Sequence, residues 1–234
     1  GDWNNALVDY RQLRKWDPGT PFLGGPLLRL TRKLHMEQEF ELFRKDFPDE
    51  DFPLKKGEGE LIVIIEQGKA PLKEPSAQMR LVPTFYKRSY RNQFAKIRST
   101  RVPQQSVKSR TLFSVEETAI RELKGKLAGI IAKKLAGVAV KEAIGAGVAK
   151  ATDSKFAGAF LSFFLHLTDK ADLRSWSTLP ANLQIARLAL PAGRHDIELD
   201  MVDAFGGGTQ TGTRWPGVEI KQGKIAFLNY RAPD

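Results

Sequence analysis

A helical stretch from about 115 to 150 constrains this chain most, because residues with strand patterns lie on both sides of it. Its apolar residues Ile120, Leu123, Leu127, Ile130, Ile131, Leu135, Val138 and Ile144 recur at helical spacing. Ser114-Val-Glu-Glu117 opens it as a capping box, with Ser at the N-cap and Glu three positions on. Gly145-Ala-Gly147 or Thr152-Asp153-Ser154 breaks it, and a more apolar helix follows over about 154–168, FAGAFLSFFLHL. The two read as a helical hairpin, about 114–168, inserted between strands. Charges interrupt the first helix and the apolar run of the second covers only 12 residues. A membrane span needs about 20, so the hairpin packs on a sheet or another subunit, or lies at a membrane interface.

Before the hairpin, LIVIIE at 61–66 is a β-branched run bounded by Gly59 and Gly68, the pattern of a buried strand. Residues 78–86 and 109–113 are weaker strand candidates, and Pro83 pushes the first toward an edge. After the hairpin, LQIARLAL (183–190) alternates poorly and HDIELDMV (195–202) alternates well. VEI, KQGK and IAFLNYR then read as a β-hairpin turning at Gly223. Upstream, residues 3–16 carry Trp3, Ala6, Leu7, Tyr10 and Leu13 on one helical face, with Asp2 as N-cap and Asp17-Pro18-Gly19 as stop. A second helix is expected from Thr20-Pro21 to about Lys45, kinked at Pro26; the apolar face of the first is either covered by it or exposed and used in a contact between copies. The expected fold class is α+β. Helices at 1–50 precede an antiparallel β-sandwich at 55–234 that carries the helical insertion.

The 234 residues hold 37 Lys and Arg against 27 Asp and Glu, a net charge of +10, and no Cys. Thiol catalysis, Cys-ligated zinc and disulfides are excluded. The excess charge is concentrated. Arg80, Lys87, Arg88, Arg91, Lys96, Arg98, Arg101, Lys108 and Arg110 fall between Pro75 and Val115 with no Asp or Glu among them. Tyr86, Tyr90 and Phe94 are interleaved. Basic residues with aromatics suit an anionic partner: phospholipid, lipopolysaccharide phosphate, an acidic protein or single-stranded nucleic acid. They equally suit a solvated loop balanced by the acidic 46–60 stretch. No RRM, KH or helix-turn-helix signature favours nucleic acid.

WNNALVDYRQLRKWDPG (3–19) resembles the second helix of a tetratricopeptide repeat, through Ala6, Tyr10 and Pro18. GELIVIIEQGKAPLKEP (59–75), the segment 168–199 and the RAPD ending resemble an uncharacterised family of bacterial envelope lipoproteins. The positions that carry this likeness are Gly68, Pro71, Lys73, Asp172, Arg174, Trp176, Leu179 and Pro180. The resemblance implies helical repeats, a strand, a helical middle, and residence in the periplasm on an outer-membrane lipid anchor upstream of this segment. It implies no reaction. A start inside a helical pattern without Met fits a piece of a longer protein.

Candidate chemistry is sparse. Asp169, Asp172, Arg174, Trp176 and His166 lie close in sequence, but no second base or nucleophile stands at a recognisable spacing. Trp176 is expected to be mostly buried against the hairpin helices, with Asp172 and Arg174 locking the corner into the next strand. His35, His166 and His195 are too far apart for metal-ligand spacing, and no cofactor motif is present. Gly206–Gly212 lacks the following helix a phosphate loop needs and reads as an inter-strand loop. The expected function is that of a non-catalytic binding or adaptor module for envelope proteins or cell-wall polymer. Arg80, Lys87, Arg88, Arg91, Lys96, Arg98 and Arg101 supply its anionic-partner face. The alternatives are a hydrolase-like enzyme with a site near Asp172 and Arg174, and an anionic-polymer binder.

Overall fold

A computed structural model describes residues 2–50, 54–77, 80, 82–151 and 171–232, the side chains of 134–151 and 209–211 excepted. In chain order the elements are α1 (Trp3–Trp16), α2 (Gly24–Lys33), α3 (Glu37–Asp46), β1 (Glu58–Gln67), β2 (Leu72–Pro75), β3 (Pro83–Tyr86), β4 (Phe94–Ser99) and β5 (Val102–Lys108). β6 (Arg110–Ser114), α4 (Val115–Ala151), β7 (Asn182–Pro191), β8 (Gly193–Val202), β9 (Gly208–Ile220) and β10 (Ile225–Ala232) follow. The fold is α+β. Two compact units are each assembled from several segments. The first comprises Gly1–Gln67, Arg91–Phe113 and Leu183–Ala232, and the second is mainly Gly68–Tyr90 and Ser114–Asn182. The boundary expected near residue 50 lies inside the first unit.

In the first unit, α1 begins where the Asp2 carboxylate accepts from the Asn5 N–H at 3.1 Å, and it ends at Asp17. Of the two arrangements open for its apolar face, the following helical residues cover it: Leu7 is buried with Leu23, Leu27, Leu28, Leu30 and Phe43. The single helix expected over 20–45 is instead two. His35 adopts φ 55 and closes α2 in the left-handed conformation usually left to glycine. The Met36 N–H then bonds back to the Thr31 carbonyl at 2.9 Å. No Gly or Pro marks this break in sequence. Pro26 produces no kink because it sits in the first turn of α2, where no helical N–H bond is lost.

Eight strands of the same unit form two four-stranded sheets, ordered β10-β1-β7-β6 and β5-β4-β8-β9. Alternation sends one side chain set from each inward. Leu61, Val63 and Ile65 of β1 meet Ala186, Leu188 and Leu190 of β7, Ala95 and Ile97 of β4, and Ile197, Leu199 and Met201 of β8 in one buried cluster. The basic segment without a sequence assignment supplies β4 and β5, which pair antiparallel. The chain passes from one sheet to the other between β5 and β6, between β7 and β8, and between β9 and β10.

The last passage corrects the expected hairpin. β10 does not pair with β9. It runs parallel to β1, from Glu60 opposite Ile225 to Gln67 opposite Ala232. The KQGK turn, with Gly223 at φ 66, docks instead on the start of β1: the Gly223 N–H reaches the Glu58 carbonyl at 2.8 Å, and the Glu60 N–H reaches Lys224 at 3.0 Å. Gly59 permits this approach, since a Cβ there would stand 2.3 Å from the Lys221 carbonyl oxygen. The local glycine signal was real, but the strand's partner lies far away in sequence.

The second unit contains the two-stranded antiparallel pair β2–β3 and the helix α4. Of the strand expected at 78–86, Pro83–Tyr86 is a strand, and residues 78, 79 and 81 lie outside the described residues. The capping residue acts as read: Ser114 Oγ accepts from the Glu117 N–H at 3.1 Å. Ile120, Leu123, Leu127 and Ile131 turn toward Val82, Pro83 and Phe85, lining a shared groove. No helix among the described residues is long and apolar enough to cross a membrane. The helix expected at 154–168 lies outside the described residues.

At the β5–β6 passage, Ser109 is buried and its hydroxyl joins both sheets. It accepts from the Ala95 N–H at 2.8 Å and donates to Gln184 Oε1 at 2.5 Å, while Gln184 donates to the Gln93 carbonyl at 2.7 Å. Ser109→Ala should therefore lower stability by on the order of 2 kcal/mol, because it strands a buried donor and acceptor. Urea denaturation checks this, and a change within error would show the corner to be held by apolar packing alone.

Candidate functional site

The two sequence segments that carry the lipoprotein likeness meet in the second unit. Gly68 turns at φ 69 beneath the Tyr90 ring, where a Cβ would come within 2.8 Å of the ring carbon Cζ. The Tyr90 hydroxyl accepts from the Lys69 N–H at 2.9 Å and donates to the Lys69 carbonyl. The Ala70 N–H bonds the Leu179 carbonyl at 2.7 Å, and Lys73 Nζ reaches the Arg174 carbonyl at 3.3 Å. Pro71 and Pro180 are buried. The motif residues thus pin the 172–180 loop onto the 68–73 segment.

The pinned loop presents its side chains outward. Trp176, expected to be buried, is 73% exposed. It opens a turn in which the Leu179 N–H bonds back to its carbonyl at 3.4 Å, and its neighbours Ser175 and Ser177 are exposed as well. Leu173 and Leu179 are exposed beside it in sequence, and Leu72 and Tyr86, register partners across β2–β3, are exposed as well.

Asp172 and Arg174 form a fixed pair, as expected. Arg174 donates to one carboxylate oxygen from its backbone N–H at 3.1 Å and Nε at 3.0 Å, and to the other from Nη2 at 2.9 Å. These bonds hold the Asp172 carboxyl well below the ordinary carboxylate range. A carboxylate so held carries no proton near neutrality and is a weak base, so the pair offers neither general acid nor general base.

The basic residues are divided between the two units. Arg80, Lys87 and Arg88 belong to the second unit, and Arg91, Lys96, Arg98 and Arg101 to the first. Acids remote in sequence engage several of them. Arg98 bridges Glu198 at 2.8 Å and Asp200 at 2.9 Å across β4–β8, and Lys87 stands 3.7 Å from Glu116 and 3.9 Å from Glu117. Arg88 donates from Nε to the Ala70 carbonyl at 3.0 Å. Arg101 lies over Gly193, and Lys108 Nζ lies 3.8 Å from the Phe94 ring centroid. Arg80, Arg91 and Lys96 are exposed. The acidic partners of Arg98 and Lys87 among the described residues come from β8 and α4.

His195 is sealed in the core. Its Nδ1 meets Ser99 Oγ at 2.8 Å and its Nε2 meets the Pro191 carbonyl at 2.8 Å, which places the ring proton on Nε2 and leaves Nδ1 to accept from the hydroxyl. Burial of both residues leaves this Ser–His pair no route to a substrate. His166 lies outside the described residues, and no group of metal-ligating side chains is found among those described.

A cleft of about 490 Å³ in the first unit was not read from sequence. Phe22, Arg29 and Glu60 line it from the helical side and β1, Gln104 and Val107 from β5, and Arg187 from β7. Glu60 is 5% exposed. Arg29 Nη1 holds one of its oxygens at 2.9 Å, and Arg187 holds the other from Nε at 2.7 Å and Nη2 at 2.5 Å. The signal was present as two charges on the outward positions of apolar strands, Glu60 at the head of LIVII and Arg187 inside LQIARLAL.

Arg187→Met should cost on the order of 3 kcal/mol, because it leaves the buried Glu60 with Arg29 alone, and the double variant with Glu60→Met should recover most of that loss. Chemical denaturation of both variants checks the coupling. For the exposed pair, a carboxyl NMR titration should place Asp172 below the ordinary aspartate value of about 3.9, with Arg174→Gln returning it there. The sign follows from the depressed pKa: the pair is intact above the ordinary range and is lost only as pH falls through the lowered value. Compared with known proteins, the chain matches no family profile, no curated protein and no solved structure.

Proposed function

We propose that the chain is a non-catalytic binding module of the bacterial envelope, part of a periplasmic lipoprotein that docks envelope proteins or peptidoglycan. The exposure of Trp176 on a pinned loop carries this reading. Trp and Arg dominate binding energy at interfaces because they combine a large apolar area with directed polar contacts. Here Trp176 projects beside Arg174, whose side chain is 92% exposed, with Leu173 and Leu179 adjacent in sequence. Holding such a loop in one conformation reduces the entropy lost on binding. The tight Asp172–Arg174 pair speaks against the hydrolase alternative, and the pairing of Arg98 and Lys87 with acids speaks against a single polyanion-binding face.

On this reading the two four-stranded sheets act as a sandwich scaffold, α4 begins an inserted helical hairpin, and α1–α3 are a tetratricopeptide-like remnant. An outer-membrane anchor upstream of this segment would hold the module in the periplasm. Trp176→Ala should leave the thermal unfolding transition unmoved and abolish co-sedimentation with isolated peptidoglycan sacculi or capture of an envelope protein by a photo-crosslinker placed at position 177. A variant that unfolds at lower temperature, or one that binds both as the wild type does, rejects the loop as the docking element.

A further inference from the structure

We propose that the cleft between β5 and β7 binds a small amphipathic acid, an apolar body bearing one carboxylate. The volume of about 490 Å³ falls within the range of about 300–1,000 Å³ typical of small-molecule sites. Its walls are mostly apolar, with the Phe22 ring and Val107 among them, while the polar groups are few and fixed.

The polarity of those groups selects the ligand's charge. Glu60 has both oxygens occupied by arginine donors, and the neighbouring Glu50 caps the Gly24 and Gly25 N–H groups at 2.7 and 3.3 Å. Both oxygens of Glu60 and one of Glu50 are therefore engaged. The donors are not. A guanidinium carries five N–H groups and does not lose its proton in a protein. Arg29 commits Nη1 to Glu60, and Arg187 commits Nε and Nη2, which leaves Nη1 of Arg187 facing the space that Gly25 keeps open by lacking a Cβ. Arg110 adds a third guanidinium, 5.1 Å from the Phe22 ring centroid, and Arg187 approaches the same ring at 5.8 Å. A ligand presenting an anionic oxygen meets unused, charged donors. A cation meets the guanidiniums of Arg29 and Arg187, which already take up the buried Glu60 carboxylate.

Phe22 supplies an independent mark. It adopts φ 61, a conformation that costs a bulky residue on the order of 1–3 kcal/mol and persists where the surroundings impose it. The imposed conformation keeps an apolar ring in the cleft beside the guanidiniums, where an alkyl or aromatic body can lie against it.

The carboxylate could come from a free fatty acid or from the C-terminal residue of an apolar peptide. Isothermal titration at fixed ionic strength tests both, with decanoate against decanol and N-acetyl-leucyl-phenylalanine against its C-terminal amide. At least one acid should bind at least tenfold more tightly than its neutral counterpart, and the acid that does so names the source. Ala189→Trp, which fills the cleft from an exposed lining position, should remove that binding with the circular dichroism spectrum unchanged. Phe22→Gly, which relieves the left-handed strain while deleting the ring, should weaken it at least tenfold without lowering the unfolding temperature. Equal binding of acid and neutral partners, no binding of either acid, or acid binding undiminished in Ala189→Trp would overturn the proposal.

Discussion

Where a chain leaves one sheet and joins the other around a shared core, each passage must satisfy backbone groups that no strand ladder covers. Three direct passages do this here, besides the longer route from β1 to β4 through β2 and β3. Ser109 bridges the first with its hydroxyl, and the third is the KQGK turn hydrogen-bonded to the start of β1. The second is short: Ala192 connects β7 to β8 and its N–H reaches the Gly57 carbonyl at 2.7 Å. Residues 57–60 are therefore tied to both the second and the third passage, and Glu60 in the same stretch carries the arginine clamp on its outward side. The sheet junctions and the cleft both depend on this short segment.

Much of the architecture was legible because local signals coincide with it. β8 alternates strictly in sequence and in burial, the Ser114 cap opens α4 at the expected place, and Asp2 and Asp17 bound α1. What was hidden depends on partners remote in the chain. LQIARLAL alternates poorly by hydropathy because Ile185 and Arg187 both occupy outward positions, yet its inward residues Ala186, Leu188 and Leu190 follow a strict period of two. The break at His35 has no helix-breaking residue to announce it. The turn at Gly223 was visible, but whether the next strand folds back on β9 or crosses to β1 is decided by the space that Gly59 leaves.

The charge pattern follows the same division. Counting residues along 75–115 finds only positive ones, whereas the folded chain sets Arg98 against two β8 carboxylates and Lys87 against the first turn of α4. Cross-strand neighbours and a helix start are invisible to a linear count. The same holds for the 68–73 and 172–180 segments, joined by the Ala70–Leu179 backbone bond and by the Lys73 ammonium on the Arg174 carbonyl. Trp176 was misplaced for a related reason: an aromatic in a polar stretch reads as an anchor, and only the folded chain shows it exposed.

The parallel pairing of β1 with β10 has a consequence for biosynthesis. Glu60 faces Ile225, so the central strand of its sheet waits for most of the remaining chain to leave the ribosome. At about 5–20 residues per second that interval is on the order of ten seconds. Helix α4 and the β2–β3 pair depend on nearer contacts and can form while LIVII stays without either neighbour, a run of β-branched and apolar residues of the kind that aggregates when its edges are bare. The organisation thus makes a nascent chain vulnerable in β1 and places the remedy in β10. A cell producing this protein has reason to shield that segment until β10 has left the ribosome.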